Sequence, residues 1–348
     1  MQNANFRPNT VMKTLILAVA LAGGFGGPLA GVLSAPLSAP LLVPFLGNDY
    51  AFYVGAEACG AFVELHEWVL DCAHADCAYA DCAHAGDKIS AIDYNTGFNG
   101  GFRLVLGFEP YNKLTKAGLG ISGVYSSYLP ASRGTVSDRD WDDDGFLFSL
   151  GNGTANSIAF TDIEGKLQLY IPLGKIPALV LTAKLWYCRY SVTANDGWIQ
   201  QAGTGEPWDV RLPKKPLYGM SMMYIQEWLT VAPGLGLWLQ LGRHSIYLYG
   251  TVWGGVWGYH LDYHYFRNVI YQDTVKGNLT VCVEAEWKYR VKSYGEIGLT
   301  LGYKAIPDTK GSSHIMTTGL TADVYYPADA AGASLIQIYG GISCKLWL

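Results

Sequence analysis

The stretch GNLTVCVEAEWKYR, residues 277–290, alternates apolar and polar side chains with a period of two. Successive side chains of a β-strand point to opposite faces, so this stretch predicts a strand with one apolar and one polar face. The apolar face comprises Leu279, Val281, Val283, Ala285, Trp287 and Tyr289, and the polar face Asn278, Thr280, Cys282, Glu284, Glu286 and Lys288. EIGLTLGYK, residues 296–304, repeats the pattern. Charged residues on one face and aromatic residues on the other favour a membrane barrel with a polar interior over a soluble sandwich.

The connections between such strands divide into two lengths. Turn-like breaks are predicted near 109–114, 174–177, 242–245 and 292–295, and longer loops near 71–88, 132–155, 193–216, 262–275 and 306–333. Short turns at one end and long loops at the other are typical of outer-membrane barrels, and nine connections join ten strands. The predicted fold is therefore all-β: a ten-stranded antiparallel transmembrane β-barrel that extends above the outer membrane.

The N-terminus has the composition of a targeting signal. Lys13 precedes an apolar run to about residue 33, and the small residues of SAPLSAP follow. A basic start, an apolar core and small residues predict a secretory signal peptide over about residues 1–38, of ordinary length if translation begins at Met12. A membrane anchor is the alternative, and the Gly and Pro residues from Gly23 onward disfavour it. Residues 39–348 are predicted to form a single barrel domain.

A repeated pentapeptide, DCAHADCAYADCAHA at residues 71–85, falls in the first predicted long loop. Its cysteines and histidines could bind a soft metal, but their spacing matches no recognised zinc site, so a low-complexity expansion is the simpler interpretation. We expect no metal and no cofactor. The net charge of −5 argues against nucleic acid as a partner, which usually requires a basic patch.

Two polar segments could form a hydrolytic site. SDRDWDDDG, residues 137–145, holds five aspartates in nine positions, and the even positions near the end of a predicted strand over 245–266 are His260, Asp262 and His264. Both segments are expected at the long-loop end, with these side chains facing the barrel mouth. The odd-numbered residues of the predicted strand, among them Tyr247, Tyr249 and Trp257, are expected to face outward. An aspartate can orient a nearby histidine and favour its imidazolium, and such a base beside a carboxylate pair could activate water. A solvated acidic loop is the alternative.

The two segments resemble motifs of the omptin family of outer-membrane endopeptidases. SRGTVSDRDWDD is similar to the segment with the family's carboxylate pair, YHLDYHYFR is similar to its Asp-x-His segment, and weaker similarity extends from about residue 50 to the end. The resemblance implies that a water held between His264 and Asp138 attacks the peptide carbonyl, without an acyl-enzyme. In this comparison Asp262 orients His264, and Asp140 holds the water or stabilises the tetrahedral intermediate.

The resemblance also implies substrates: proteins or peptides cleaved near basic residues. Glu67 resembles the glutamate of the family's basic-side-chain pocket, but His260 stands where the family has that pocket's second acid. A histidine there would weaken attraction for Arg or Lys, so altered or relaxed specificity is expected.

The same comparison bears on whether the chain depends on lipopolysaccharide. Of the family's lipopolysaccharide-binding positions only Arg189 clearly matches, since related positions carry Tyr187 and Glu227, and this gives little support for dependence on lipopolysaccharide.

We expect a monomer in the outer membrane with its active site facing the exterior. A catalytically silent barrel acting as an adhesin or receptor is the main alternative. A passive porin is weaker because ten strands enclose a narrow lumen.

Overall fold

The computed structural model describes residues 50–70, 88–110, 112–142, 146–203, 206, 208–291, 295–317 and 324–347. The predicted signal peptide and the repeat at 71–85 lie outside these residues. The described chain is built of strands, and none of it forms a helix long and apolar enough to cross a membrane. The strands are β1 (Tyr50–Leu70), β2 (Lys88–Pro110), β3 (Gly118–Tyr128), β4 (Ala131–Trp141), β5 (Leu147–Pro172), β6 (Pro177–Gln201), β7 (Lys215–Leu241), β8 (His244–Thr251), β9 (Gly255–His264), β10 (Val269–Gly277), β11 (Val281–Arg290), β12 (Gly295–Thr317) and β13 (Val324–Trp347).

These segments form one closed antiparallel sheet. Three pairs of segments each occupy a single strand position in the barrel. β3 and β4 both lie between β2 and β5, β8 and β9 both pair with β7, and β10 and β11 both pair with β12. Counting each of these pairs as one strand gives ten strands in the described chain, and pairing of β1 with β13 closes the ring. The predicted ten-stranded antiparallel barrel is confirmed.

The strands are longer than a membrane crossing requires. A tilted strand crosses the hydrocarbon core with about 9–11 residues, whereas β7 has 27 residues and β5 has 26. The outward face carries an apolar belt in which Leu299, Leu301 and Ile342 are 50%, 62% and 67% exposed. The belt gives way to polar contacts on the outer wall, such as Arg189–Glu227 and Asn95–Glu64. Beyond these pairs the wall continues as an upper barrel above the membrane.

Paired charges fill the interior at the level of the belt. Lys304 lies 3.4 Å from Asp162 and Lys184 lies 3.1 Å from Glu164, and all four residues are buried. Polar residues inside and apolar residues outside are the inverse of a soluble core, as expected where lipid surrounds the wall. The described lumen is therefore filled by side chains rather than open as in a porin.

The predicted short turns agree with the structure at one end of the barrel, whereas the predicted long loops at the other end are too long. The short turns near 174–177 and 242–245 lie between β5 and β6 and between β7 and β8. Much of the predicted long loops is instead strand: β4 reaches Trp141, β9 reaches His264 and β12 reaches Thr317. Above the membrane the outward residues need not be apolar, so the alternation that identifies strands in the belt fades there.

The predicted strand over 245–266 is also corrected. It is two strands separated at residues 252–254, and the facing of odd-numbered residues reverses between them. Tyr247 and Tyr249, predicted to face outward, are buried inside the barrel, whereas Trp257 faces outward as predicted. One interruption is enough to exchange the faces, because side-chain direction in a strand alternates with every residue.

Candidate active site

The sequence-predicted residues lie in the upper barrel. On β9 the outward Tyr259 is the Cα partner of Glu227, which marks the upper limit of the belt, and residues 260–264 continue away from it. On β1, Glu67 likewise lies beyond Glu64 of the outer-wall polar contact. All of β4, which carries Asp138 and Asp140, pairs with the upper part of β5. The site thus lies beyond the apolar belt, at the end of the barrel opposite the short turns near residues 174 and 243.

His264 and Asp262 form the most direct contact of the site. Both face inward two residues apart on β9, and His264 Nε2 lies 2.5 Å from Asp262 Oδ2. Burial alone would lower the pKa of His264, but the Asp262 carboxylate outweighs it, and the pKa is raised above the ordinary histidine value. With Nε2 donating to Asp262, Nδ1 is the nitrogen left to accept a proton.

Asp138 faces His264 across one cavity. The cavity has a volume of about 150 Å³, and both side chains line it. Burial, and then the charge of Asp140, raise the pKa of Asp138 to about 7, against the opposing effects of His264 and Arg267. A base and a carboxyl group that can carry a proton at neutral pH therefore border the same space, which is the arrangement that water activation requires.

Asp140 has a different partner. It lies two residues beyond Asp138 on β4, and its Oδ2 is 3.6 Å from a guanidinium nitrogen of Arg267 in the β9–β10 turn. This ion pair joins the two hairpins that carry the site. Arg267 was not predicted from the sequence, because a lone arginine in a turn carries no motif.

Glu67 lies on β1, and His260 lies two residues before Asp262 on the inward face of β9. Both are buried, and Glu67 Oε2 and both ring nitrogens of His260 have no hydrogen-bond partner among the described residues. Burial lowers the pKa of His260 to about 3, so its ring is neutral at ordinary pH. The ring packs edge-on to Trp228 with centroids 4.7 Å apart. The residue in place of the expected acid therefore adds no positive charge.

Asp273 is an acid that the sequence reasoning missed. It lies on β10 as the Cα partner of His260, and it is buried. Burial raises its pKa to about 7, and its carboxyl group interacts with that of Glu67. Burial and the charges of Asp262 and Asp273 raise the pKa of Glu67 well above its ordinary value. We call Glu67, Asp262 and Asp273 the acidic cluster.

A turn prediction could have found Asp273. Asp273 falls within the predicted loop over 262–275, so no facing is predicted for it. The structure instead has a tight turn in which His264 partners Val269. In an antiparallel pair the residue numbers of partners have a constant sum, so a tight turn there places residue 273 opposite residue 260. Although the acidic cluster contains three carboxyl groups, no group of His, Cys, Asp or Glu in the described chain has the arrangement of a metal site.

Comparisons with known proteins agree with this architecture. A family model described as the Omptin family matches residues 69–345. Among solved structures, the outer membrane protease OmpT from Escherichia coli matches with a TM-score of 0.70 at 14% identity, over 86% of this chain and 97% of that one. The P. putida toluene transporter TodX matches at 10% identity over 87% of this chain and 91% of that one, but its TM-score of 0.22 is too low to indicate a shared fold. No curated protein matches significantly.

Proposed function

This chain belongs to the omptin family, and from that membership we propose that it is an outer-membrane endopeptidase whose attacking water is activated between His264 and Asp138. One observation carries the assignment: an imidazole with its own carboxylate partner and a second, opposing carboxyl group line a single cavity in the upper barrel. The short turns near residues 174 and 243 lie at the other end of the barrel. Because outer-membrane barrels place short turns in the periplasm, the active site faces the exterior.

The reaction proceeds by direct attack of water. The water oxygen attacks the carbonyl carbon while one water proton passes to Nδ1 of His264, and the Asp262 carboxylate stabilises the imidazolium. Asp138, which can hold a proton because its pKa is about 7, donates a hydrogen bond to the developing oxyanion. The tetrahedral intermediate then collapses, the C–N bond breaks and the proton on His264 passes to the leaving amine. No covalent enzyme intermediate forms.

Asp140 assists by position. Its ion pair with Arg267 holds the β9–β10 turn against β4, and so sets the separation of His264 from Asp138. The charge of Asp140 also contributes to the raised pKa of Asp138. In this assignment Asp262 and Asp140 are positioning residues, whereas His264 and Asp138 contact the reacting atoms.

The acidic cluster binds a basic side chain of the substrate. Glu67 and Asp273 bear oxygens that receive no hydrogen bond from the described residues, and a Lys or Arg head group would supply the missing donors. His260 contacts this side chain as a neutral ring, which repels no cation but supplies no second negative charge, so altered or relaxed specificity for basic residues remains the expectation. Substrates are therefore proteins or peptides with a basic residue next to the cleaved bond.

The test is a peptidase assay with matched variants. The full chain is refolded in detergent with outer-membrane lipid and given fluorogenic peptides containing one Arg. We expect cleavage that His264→Ala and Asp138→Asn each reduce by about 10²–10⁴-fold, the usual contribution of general acid–base groups. His244→Ala, at the opposite end of the barrel, and Asp209→Asn, on the exposed surface, are the controls. Wild-type activity in both site variants would refute the mechanism, and an inactive wild-type chain would favour the adhesin or receptor alternative.

A further inference from the structure

The strands that carry His264 and Asp138 divide the upper barrel into two arcs. Around the ring, β5, β6 and β7 lie between β4 and β9 on one side, and β10, β12, β13, β1 and β2 lie between them on the other. Glu67 on β1 and Asp273 on β10 belong to the second arc. The cavity beside His264 is formed mainly by the first arc. A peptide bond held between His264 and Asp138 thus has the acidic cluster on one side and this cavity on the other.

The wall of the cavity is largely apolar. Four aliphatic or thioether side chains from β4, β6 and β7 line it: Val136, Ile199, Leu217 and Met222. Val136 and Met222 are buried, whereas Ile199 and Leu217 are half-buried near the opening. Its volume is about 150 Å³, and an apolar space of about this size can accept a group as large as benzene.

Two glycines keep this space open beside Asp138. A Cβ on Gly151 would lie 3.4 Å from the Asp138 Cβ, and one on Gly153 would lie 3.2 Å from Val136 Cγ1 and 2.8 Å from the backbone oxygen of Asp196. Larger side chains at these β5 positions would occupy the space next to the reacting atoms. Their absence leaves room for a side chain supplied by the substrate.

The charges around the cavity do not favour a second basic side chain. Arg267 lines it with a positive charge, held by Asp140. Asp196 also lines it, but its Oδ1 accepts a hydrogen bond from the Gly219 backbone nitrogen at 2.8 Å, from a left-handed backbone with φ of 43°. The remaining lining acid is Asp138, which the reaction uses. The cavity therefore differs in chemistry from the acidic cluster across the site.

We propose that this cavity binds an apolar side chain of the substrate, on the residue across the cleaved bond from the basic residue held by the acidic cluster. The proposal rests on the endopeptidase function proposed above. It narrows the substrate class from peptides with basic residues to peptides in which a basic and a medium-sized apolar residue flank the cleaved bond.

The test is a peptide panel in which the basic residue is fixed as Arg and the residue across the cleaved bond is Leu, Met, Ala, Lys or Asp. The measured quantity is kcat/KM of the refolded full chain. We expect Leu and Met peptides to exceed Lys and Asp peptides by about tenfold or more, the discrimination that an apolar pocket usually gives. Equal rates across a panel that His264→Ala abolishes, or a preference for Lys, would overturn the proposal while the endopeptidase function stands. No cleavage of any peptide would refute both.

Two variants of the cavity wall extend the test. Ile199→Asp should reverse the order, lowering kcat/KM for the Leu peptide and raising it for the Lys peptide. Ile199→Phe adds no charge and should lower kcat/KM for the Leu and Met peptides more than for the Ala peptide, so it remains informative if the charged variant does not fold. The control is Val210→Asp, on the exposed surface outside the cavity. An unchanged ranking of peptides in both Ile199 variants would exclude the cavity as the binding site.

Discussion

Replacing Asp262 by Asn removes a charge from the shortest contact of the site while keeping the size of the side chain. His264 Nε2 lies 2.5 Å from Asp262 Oδ2, and Asp262 is only 1% exposed, so solvent does little to screen the pair. Two unit charges about 4 Å apart interact by about 4 kcal/mol at an effective dielectric constant of about 20. Losing about 3–4 kcal/mol of imidazolium stabilisation in the transition state corresponds to a decrease in kcat of about 10²–10³-fold.

The same variant has a pH signature that a merely structural defect would not produce. The Asp262 carboxylate is the main cause that raises the pKa of His264, so the pKa falls in Asp262→Asn. His264 acts as a base only when neutral, and activity therefore rises with pH through this pKa in the wild-type chain. In the variant the acid limb of kcat/KM should move to lower pH even though the maximum is reduced.

The assay compares pH profiles of kcat/KM for the wild-type chain, Asp262→Asn and the exposed control Asp209→Asn. Resistance to unfolding in detergent, measured on the same samples, reports whether the barrel is intact. A decrease in kcat of less than about tenfold would be smaller than the loss of this charge pair predicts, and would contradict the proposed role of Asp262. An acid limb that stays in place, or moves to higher pH, would refute the assignment of His264 as the base.

Three further predictions test the neighbouring groups. Asp138→Asn should remove the alkaline limb of the pH profile, because the pKa of Asp138 is about 7 and the reaction uses its protonated form; an alkaline limb that persists would assign that proton to another group. Glu67→Gln should lower kcat/KM for Arg peptides by about tenfold or more and leave peptides with norleucine in place of Arg unchanged, with Asp273→Asn acting in the same direction; equal losses on both peptides would indicate a structural defect. Activity should not depend on added lipopolysaccharide, because the matching outer-wall Arg189 is paired with Glu227 at 3.4 Å; inactivity without it in a detergent titration would contradict this.

The belt is the part of the fold that sequence predicts best. Within the membrane each strand has lipid on one face and a polar lumen on the other, so the two environments impose opposite residue types on alternate positions. Val283 is exposed and Glu284 buried, as the alternation in residues 277–290 predicts. Above the membrane both faces of the wall can carry polar residues, and that contrast disappears. The sequence pattern therefore predicts loop around Trp141 and Thr317, where the structure has the ends of β4 and β12.

The site was predictable where its chemistry lies on one strand. His260, Asp262 and His264 alternate on β9, so their shared inward face follows from spacing alone. Asp273 and Arg267 could not be found this way, because each reaches the site through the pairing of β9 with β10 or the turn between them. Such contacts depend on where a turn is centred, and a shift of one residue would turn Asp273 to the outer wall.

In the proposed mechanism, Asp262 links catalysis to substrate recognition through charge. Its carboxylate contributes to the raised pKa of His264 on one side and to the raised pKa values of Glu67 and Asp273 on the other. A basic side chain bound to the acidic cluster brings a positive charge into this shared field. Positive charge disfavours the imidazolium, so we expect a bound basic substrate to lower the pKa of His264 and to increase the fraction of neutral base at a given pH. The neutrality of His260 matters for the same reason: a permanently charged residue there would exert this effect without substrate and would weaken the distinction between basic and neutral peptides.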